Sequence, residues 1–395
     1  MSNIDFMGRG DIIEAAMKIN MVDLKGQYLK IKDEIDAGIQ AVIDSSAFIN
    51  GPAVNEFRQH LSQYMGGLNV ITCANGTDAL QIALMALGLK PGDEVIVPAF
   101  TYVSSAEVIA LLGLTPVMVD VDPDTFNVTA ENIRKALTPA SKAVIPVHLF
   151  GQSCDMEPIL ALAEECGLYV IEDNAQALGA EYTFSDGRRV RTGTMGTIGC
   201  TSFFPSKNLG CYGDGGAIFC SDDVLAEKIA MIANHGQKVK YHHSIIGCNS
   251  RLDTIQAAVL DVKLRHLDEY SRARSDAAAY YDGRLTELDP DGRYFQIPVR
   301  QKNSTHVWHQ YTLKIHNGRR DGLKAFLAER GIPSMIYYPL PLQEQEAFLG
   351  VARAAEDLSN ARECAYSVLS LPMHTEMTHE IQDAVIAGIR DYFEL

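Results

Sequence analysis

Lys207 stands between the apolar run 201–204 and the glycine-rich segment 210–216. An amine in partly dry surroundings loses its proton more readily, and the freed lone pair adds to a carbonyl, which is what a Schiff-base lysine requires. Most lysines in glycine-rich loops are solvated and protonated at neutral pH, so other side chains must decide the reading. Asn75-Gly76-Thr77 lies between an apolar run and a helix pattern, where backbone N–H groups, a hydroxyl and the helix dipole suit a phosphate. A helix N-cap by Asn75 or Thr77 accounts for the same residues. Tyr102 follows the next apolar run; it suits stacking on a flat ring, or a core position with its hydroxyl bonded. Asp173 follows Tyr169-Val170-Ile171-Glu172, where a carboxylate either caps a helix or points into the crevice beyond the strand ends. Paired with a ring nitrogen, such a carboxylate keeps a pyridinium protonated, and Gln176 is placed to reach a ring hydroxyl. Phosphate loop, stacking ring, carboxylate and lysine, in that order, point to pyridoxal 5'-phosphate as cofactor.

To position these residues, several strands must end side by side. In 24–45 apolar side chains recur at Tyr28, Ile31, Ile35, Ile39 and Val42, which predicts one helix; Asn50-Gly51-Pro52 closes it and opens another toward Met65. Apolar runs at 70–73, 95–97, 116–119, 143–147 and 169–171 then alternate with helix patterns at 78–87, 102–112, 130–137 and 156–166. That alternation predicts an α/β fold, a mostly parallel central sheet with helices on both faces. A hairpin is expected at 186–191, strands at 198–204 and 217–219, and a helix over 223–233. From about Arg265 the rhythm changes to a long helix over 267–288, a strand at 309–315, a helix over 322–329 and a closing helix after Thr378. The expected domains are a large one over 21–264 and a smaller one over 265–395, preceded by an extension, 1–20.

The formal net charge of −16 argues against nucleic acid or an anionic membrane as partner, so an anionic ligand must be held by local cations. Eight cysteines without a CxxC pair read as reduced thiols of a cytoplasmic protein. The apolar stretch 108–119 is interrupted by Gly113, Thr115 and Pro116 and is too short to span a bilayer, and 1–20 carries no signal-peptide pattern. His242 and His243 lack a third ligand at suitable spacing, so no metal is expected.

The text Cys73-Ala74-Asn75-Gly76-Thr77-Asp78-Ala79-Leu80, Pro91-Gly92-Asp93-Glu94-Val95-Ile96, Phe100-Thr101-Tyr102, Val170-Ile171-Glu172-Asp173, Ser202-Phe203-Phe204-Pro205-Ser206-Lys207 and His235-Gly236-Gln237 resembles the DegT/DnrJ/EryC1/StrS group of nucleotide-sugar aminotransferases, fold type I enzymes that use pyridoxal phosphate. The resemblance runs from about Met21 to the end. It implies a homodimer with active sites at the subunit interface, and a Lys207 that carries the cofactor and then shuttles a proton. By the same resemblance Asp173 pairs with the ring nitrogen, Gln176 contacts the ring hydroxyl, and Tyr102 stacks. Gly76, Thr77 and Ser202 hold the phosphate, joined by Asn249 of the other subunit. Relatives with histidine at the lysine position catalyse dehydration; Lys207 implies amino transfer.

Within the group, Gly210-Cys211-Tyr212-Gly213-Asp214-Gly215-Gly216, Tyr241-His242-His243 and Asn249-Ser250-Arg251-Leu252-Asp253 resemble enzymes that aminate C3 of a UDP-linked 3-keto-2-acetamido-glucuronic acid, on the way to surface polysaccharides such as lipopolysaccharide. L-Glutamate is the implied amino donor. Arg251 is the implied partner of the uronate carboxylate, since bidentate arginine selects carboxylates; an ion pair with Asp253 is the structural alternative. Tyr338 is an implied substrate contact. Tyr337 replaces a histidine of those enzymes, which keeps a dTDP-linked 3-keto or 4-keto 6-deoxysugar open as the substrate. A catalytically silent sugar-binding protein is a third reading, and Lys207 argues against it.

Overall fold

The computed structural model describes residues 18–355 and 357–395; residues 1–17 of the expected extension lie outside the described residues. Eight strands form the central sheet in the order Asn69–Cys73, Gly216–Cys220, Ile198–Ser202, Tyr169–Asp173, Ser141–Val144, Glu94–Pro98, Thr115–Val119, Arg353–Ala354. All neighbours are parallel except the two pairs made by Gly216–Cys220. The other strands therefore end at one common edge. Gly216, the first residue of the antiparallel strand, reaches that edge too, opposite Cys73 on one side and Ser202 on the other.

The β-branched runs form strands buried on both faces because alternate residues enter different cores. Val95, Val97 and Ile171 join Leu80, Ile82 and Ile229 on one face, whereas Ile96, Val144 and Val170 join Ile133, Ile159 and Leu162 on the other. The helices Met156–Cys166 and Asp223–Ala233 occupy the predicted residues. Three departures from the predicted elements follow from contacts between residues distant in the chain. The helix expected over 24–45 is two, Leu24–Lys30 and Lys32–Ser45, because Ile31 leaves helical geometry and buries itself with Ile35, Val259 and Val262. The long helix begins much earlier than expected and spans Thr254–Leu288. It serves two cores in succession: Leu260, Leu264 and Leu267 pack with Phe57 and Phe203, then Ala278, Tyr281 and Leu285 pack with Trp308 and Leu313. The expected boundary between 264 and 265 falls inside it.

A second, antiparallel sheet contains Phe295–Gln296, Tyr311–Ile315 and Val368–Leu371. The third departure is that the chain then contributes to both sheets, since Arg353–Ala354 pairs with Val117 and Met118 at the edge of the central one. No helix among the described residues is long and apolar enough to cross a membrane.

At the common strand edge the backbone is packed too tightly for a side chain at Gly216, where a Cβ would lie 2.4 Å from the Asn75 carbonyl oxygen. Gly216→Ala is expected to destabilise the protein by about 1–3 kcal/mol. Gly283→Ala, in the long helix with nothing within 4 Å of the added carbon, is expected to stabilise it by roughly 0.5–1 kcal/mol. Urea unfolding of the two variants beside the parent checks both signs.

Candidate active site

The strand Tyr169–Asp173 delivers two carboxylates to opposite faces of the sheet. Asp173 is 6% exposed; its Oδ2 accepts the Ser105 hydroxyl hydrogen at 2.8 Å and its Oδ1 accepts the Ala175 N–H at 3.2 Å. It does not cap a helix. Glu172 is fully buried and accepts four N–H groups: from His148 Nε2 at 2.9 Å, Gly193 at 2.7 Å, and Met195 and Gly196 at 2.6 Å each. His148 Nδ1 accepts the Cys154 N–H, so the ring hydrogen sits on Nε2 and points at Glu172. The His148 backbone N–H also donates to the Asp173 carbonyl at 3.0 Å. A buried carboxylate is tolerated only when so surrounded by donors, and here they lock the end of the strand that carries Asp173.

Lys207 follows the strand Ile198–Ser202 and is partly buried in a turn where its own N–H donates to the Phe204 carbonyl at 2.8 Å. Burial lowers its amine to about 8, against the pull of the Asp173 carboxylate, which raises it. The neighbouring Asn208 donates from Nδ2 to the Val307 carbonyl at 2.7 Å and ties this turn to the second sheet's leading segment.

Asn75 caps the helix Gly76–Leu87 by accepting the Asp78 N–H at 2.8 Å, so the capping role weighed for the triplet falls to this residue. Thr77 instead pairs its hydroxyl with that of Ser104 at 2.7 Å. A Cβ on Gly76 would stand 2.6 Å from the Ser202 Cβ; the glycine lets the helix start and Ser202 meet. Hydroxyls and the start of a helix thus converge at the sheet edge.

Gln176 accepts the Phe150 N–H on Oε1 at 2.7 Å, which turns its Nε2 outward to donate to the Tyr338 hydroxyl at 3.1 Å. The Tyr102 ring is 55% exposed and lies 5.9 Å from that of Tyr338, tilted by 41°. Tyr337 touches Tyr338 edge to face at 6.0 Å. Burial raises both hydroxyls' pKa, and the Asp173 charge adds to the effect at Tyr338. Lys207, Asp173, Gln176, Tyr102 and Tyr338 therefore form one cluster.

Asn249 and Arg251 line a cavity of about 380 Å³ with Asp214, Gln256 and Ala74, the last beside the Asn75-Gly76-Thr77 loop. None of Lys207, Asp173, Gln176 or Tyr338 lines it. Arg251 makes no hydrogen bond or ion pair with another described residue, and the pair with Asp253 is not formed. Ser105, Glu172 and His148 were not singled out by the motifs. A second polar residue directly before Asp173 in an apolar strand was the available signal for Glu172; Ser105 left none beyond its closeness to Tyr102.

The sequence pattern of the DegT/DnrJ/EryC1/StrS aminotransferase family matches residues 29–390. The UDP-2-acetamido-2-deoxy-3-oxo-D-glucuronate aminotransferase of Pseudomonas aeruginosa is 48% identical over 356 residues, 90% of this chain and 95% of that protein. A dTDP-3-amino-3,4,6-trideoxy-alpha-D-glucose transaminase of Streptomyces venezuelae is 39% identical over 377 residues, 95% of this chain and 97% of that one. Among solved structures, a DegT DnrJ EryC1 StrS aminotransferase from Brucella abortus superposes with a TM-score of 0.89 at 41% identity, covering 95% of this chain and 99% of its own. A Bacillus subtilis protein solved with the cofactor PMP bound gives 0.85 at 32%, covering 93% and 82%.

A lysine near 8 is about one-tenth uncharged at pH 7, against less than about a thousandth for an ordinary one. Competitive acetylation of the cofactor-free protein, read by mass spectrometry on the Lys207 peptide from pH 6 to 11, is expected to give a midpoint near 8. Reactivity rises as the pH passes upward through that value and is flat above it. A midpoint above 10 contradicts the desolvated setting.

Proposed function

The chain belongs to the DegT/DnrJ/EryC1/StrS aminotransferase family, and from that premise we propose that it moves an amino group from L-glutamate to C3 of a UDP-linked 3-keto-2-acetamido-glucuronic acid. Pyridoxal phosphate is the cofactor of the family, and the residues present fit it: a desolvated lysine, a buried carboxylate, an outward amide donor and a hydroxyl-lined helix start. When bound, the cofactor supplies an electron sink for proton removal at the amino-bearing carbon.

Lys207 is the proposed attachment point and, once released, the base that carries the proton on Nζ; its place in the turn after the strand Ile198–Ser202 supports this role, and burial lowers its amine. Asp173 accepts the hydrogen of the ring nitrogen. Gln176 donates from Nε2 to the ring hydroxyl oxygen, an orientation supported by the Phe150 N–H held on Oε1. Tyr102 covers one ring face, and its exposure leaves that face available. Gly76, Thr77 and Ser202 hold the phosphate. Tyr337 and Tyr338 contact the sugar.

Asn249 and Arg251 are proposed to serve the site of a second copy in a homodimer, the former on phosphate and the latter on the uronate carboxylate. The absence of Lys207, Asp173, Gln176 and Tyr338 from the lining of their cavity, and of any hydrogen bond or ion pair between Arg251 and another described residue, support this. We divide the chain functionally at 264/265, with the large domain holding the cofactor. Eight unpaired cysteines support a cytoplasmic setting. The second reading, a neutral dTDP-linked keto sugar, is favoured by Tyr337, which brings an aromatic pair to the substrate side.

Steady-state kinetics with acidic and neutral keto sugars tests these roles. Lys207→Ala is expected to abolish turnover. Arg251→Ala is expected to raise KM for the uronate by roughly 10- to 100-fold, the loss of one charge-assisted pair, with the neutral sugar unchanged. Retained multiple turnover in the first variant, or equal losses on both sugars in the second, overturns the respective assignment.

A further inference from the structure

A buried histidine lies within electrostatic reach of Lys207 and is used by none of the roles above. His309 is 6% exposed, its Nδ1 is buried without a hydrogen bond, and its ring pairs with no other described residue. The segment carrying it is pinned on three sides. Asn208, next to Lys207, donates to the Val307 carbonyl at 2.7 Å. The Val307 N–H donates to the Gly151 carbonyl at 2.8 Å and the Gln310 N–H to the Phe150 carbonyl at 3.2 Å. Arg274, from the long helix, donates from Nη1 to the Trp308 carbonyl at 3.0 Å. Trp308 holds a φ of 51°, a left-handed conformation that a bulky residue adopts only when its surroundings enforce it. The ring is thus placed by bonds on both sides of it, and by none of its own.

Burial holds this ring well below the usual histidine range, and two cations, Lys207 and Arg274, add to the effect. The imidazole is uncharged at neutral pH and offers one lone pair and one N–H. A buried polar atom left unpaired costs stability, and an apolar side chain of similar volume would avoid that cost. Such a ring is useful if a donor reaches it during turnover. Lys207 is the neighbouring group whose state changes: its amine is free only when it is not carrying the cofactor.

We propose that His309 is a positioning residue for Lys207: when the amine is free, an imidazole nitrogen accepts an N–H from Nζ and keeps it from settling on the Asp173 carboxylate. The contact is a hydrogen bond, so the proton stays on Nζ and no covalent bond changes. This inference rests on the reading of Lys207 as the reacting amine. Lys207 feels the charge of Asp173, and the His309 ring feels those of Lys207 and Arg274, while the Asn208–Val307 bond ties the two segments together. An ammonium drawn onto Asp173 would occupy the carboxylate meant for the cofactor's ring nitrogen. The imidazole gives the amine a neutral resting place instead.

The test follows His309 itself, in full-length, cofactor-free protein labelled with 15N-histidine. Its ring-nitrogen shifts are expected to step with a midpoint near pH 8 in the parent, and the step is expected to vanish in Lys207→Met. The absence of a step in the parent, or its persistence in Lys207→Met, overturns the contact. Competitive acetylation gives the reciprocal reading. His309→Leu removes an acceptor that favours the charged amine, so the Lys207 midpoint falls by about half a pH unit and labelling at pH 7 rises roughly threefold; His309→Gln, a neutral acceptor, restores the parent value. A Leu variant that labels like the parent also overturns the proposal. If that variant fails to fold, the 15N titrations of the parent and of Lys207→Met decide the matter. Both readings are independent of activity, so loss of the catalytic assignment of Lys207, seen as turnover by Lys207→Ala, is distinguishable from loss of the His309 contact.

Discussion

A carboxylate and an amine of opposite charge act on each other at the edge of the central sheet, and in the role proposed for it the amine must nevertheless give up its proton. Asp173 favours the ammonium form of Lys207 while burial disfavours it, and burial prevails, leaving the amine near 8. A fully solvated lysine would be inert near neutral pH. A fully paired one would neutralise the carboxylate that an electron-accepting ring needs. The useful state lies between these, and it depends on holding both side chains where neither can relax toward the other.

That restraint comes from the sheet and from what stands behind it. Asp173 is fixed by Ser105 and by its place at the strand end, and the strand end is fixed by the Glu172 carboxylate with its four N–H donors. Glu172 thus trades a costly burial for the fixed position of the residue beside it, a common use of buried charge when every oxygen is satisfied. On the opposite side Gly76 and Gly216 bring backbones so close that Ser202, the helix start at Gly76 and the strand start at Gly216 form one rigid rim. Tyr102 is exposed beside this rim, and Asn249 and Arg251 line an open cavity of their own. The fixed side suits a cofactor common to the family, and the open side suits the sugar, which varies within it.

Much of this was legible in the residues because it is local. Continuous β-branched runs, the glycine at 76 and the order of phosphate loop, tyrosine, carboxylate and lysine depend only on short-range spacing. What the sequence did not reveal depends on residues far apart. The donors to Glu172 come from 148 and 193–196, and nothing near Glu172 announces them. The long helix starts thirteen residues before its clear periodicity at Leu267, because its apolar face turns from one core to another. Ile31 continues a helical repeat in sequence and breaks the helix in space to reach Val259 and Val262. Arg251 could be named from its surroundings in the sequence, but only the fold shows that Asp253 does not claim it.

The central claim is that this pocket exchanges an amino group with an acidic nucleotide sugar. The most direct measurement mixes the pyridoxal form of the enzyme, separately, with a UDP-linked 3-amino-glucuronic acid derivative and with a neutral dTDP-3-amino-6-deoxysugar, and follows the cofactor's absorbance through a single reverse half-reaction. The account predicts conversion to the pyridoxamine form by the uronate alone. Conversion by the neutral sugar alone contradicts the assigned substrate and the role of Arg251, and conversion by neither contradicts the transamination itself.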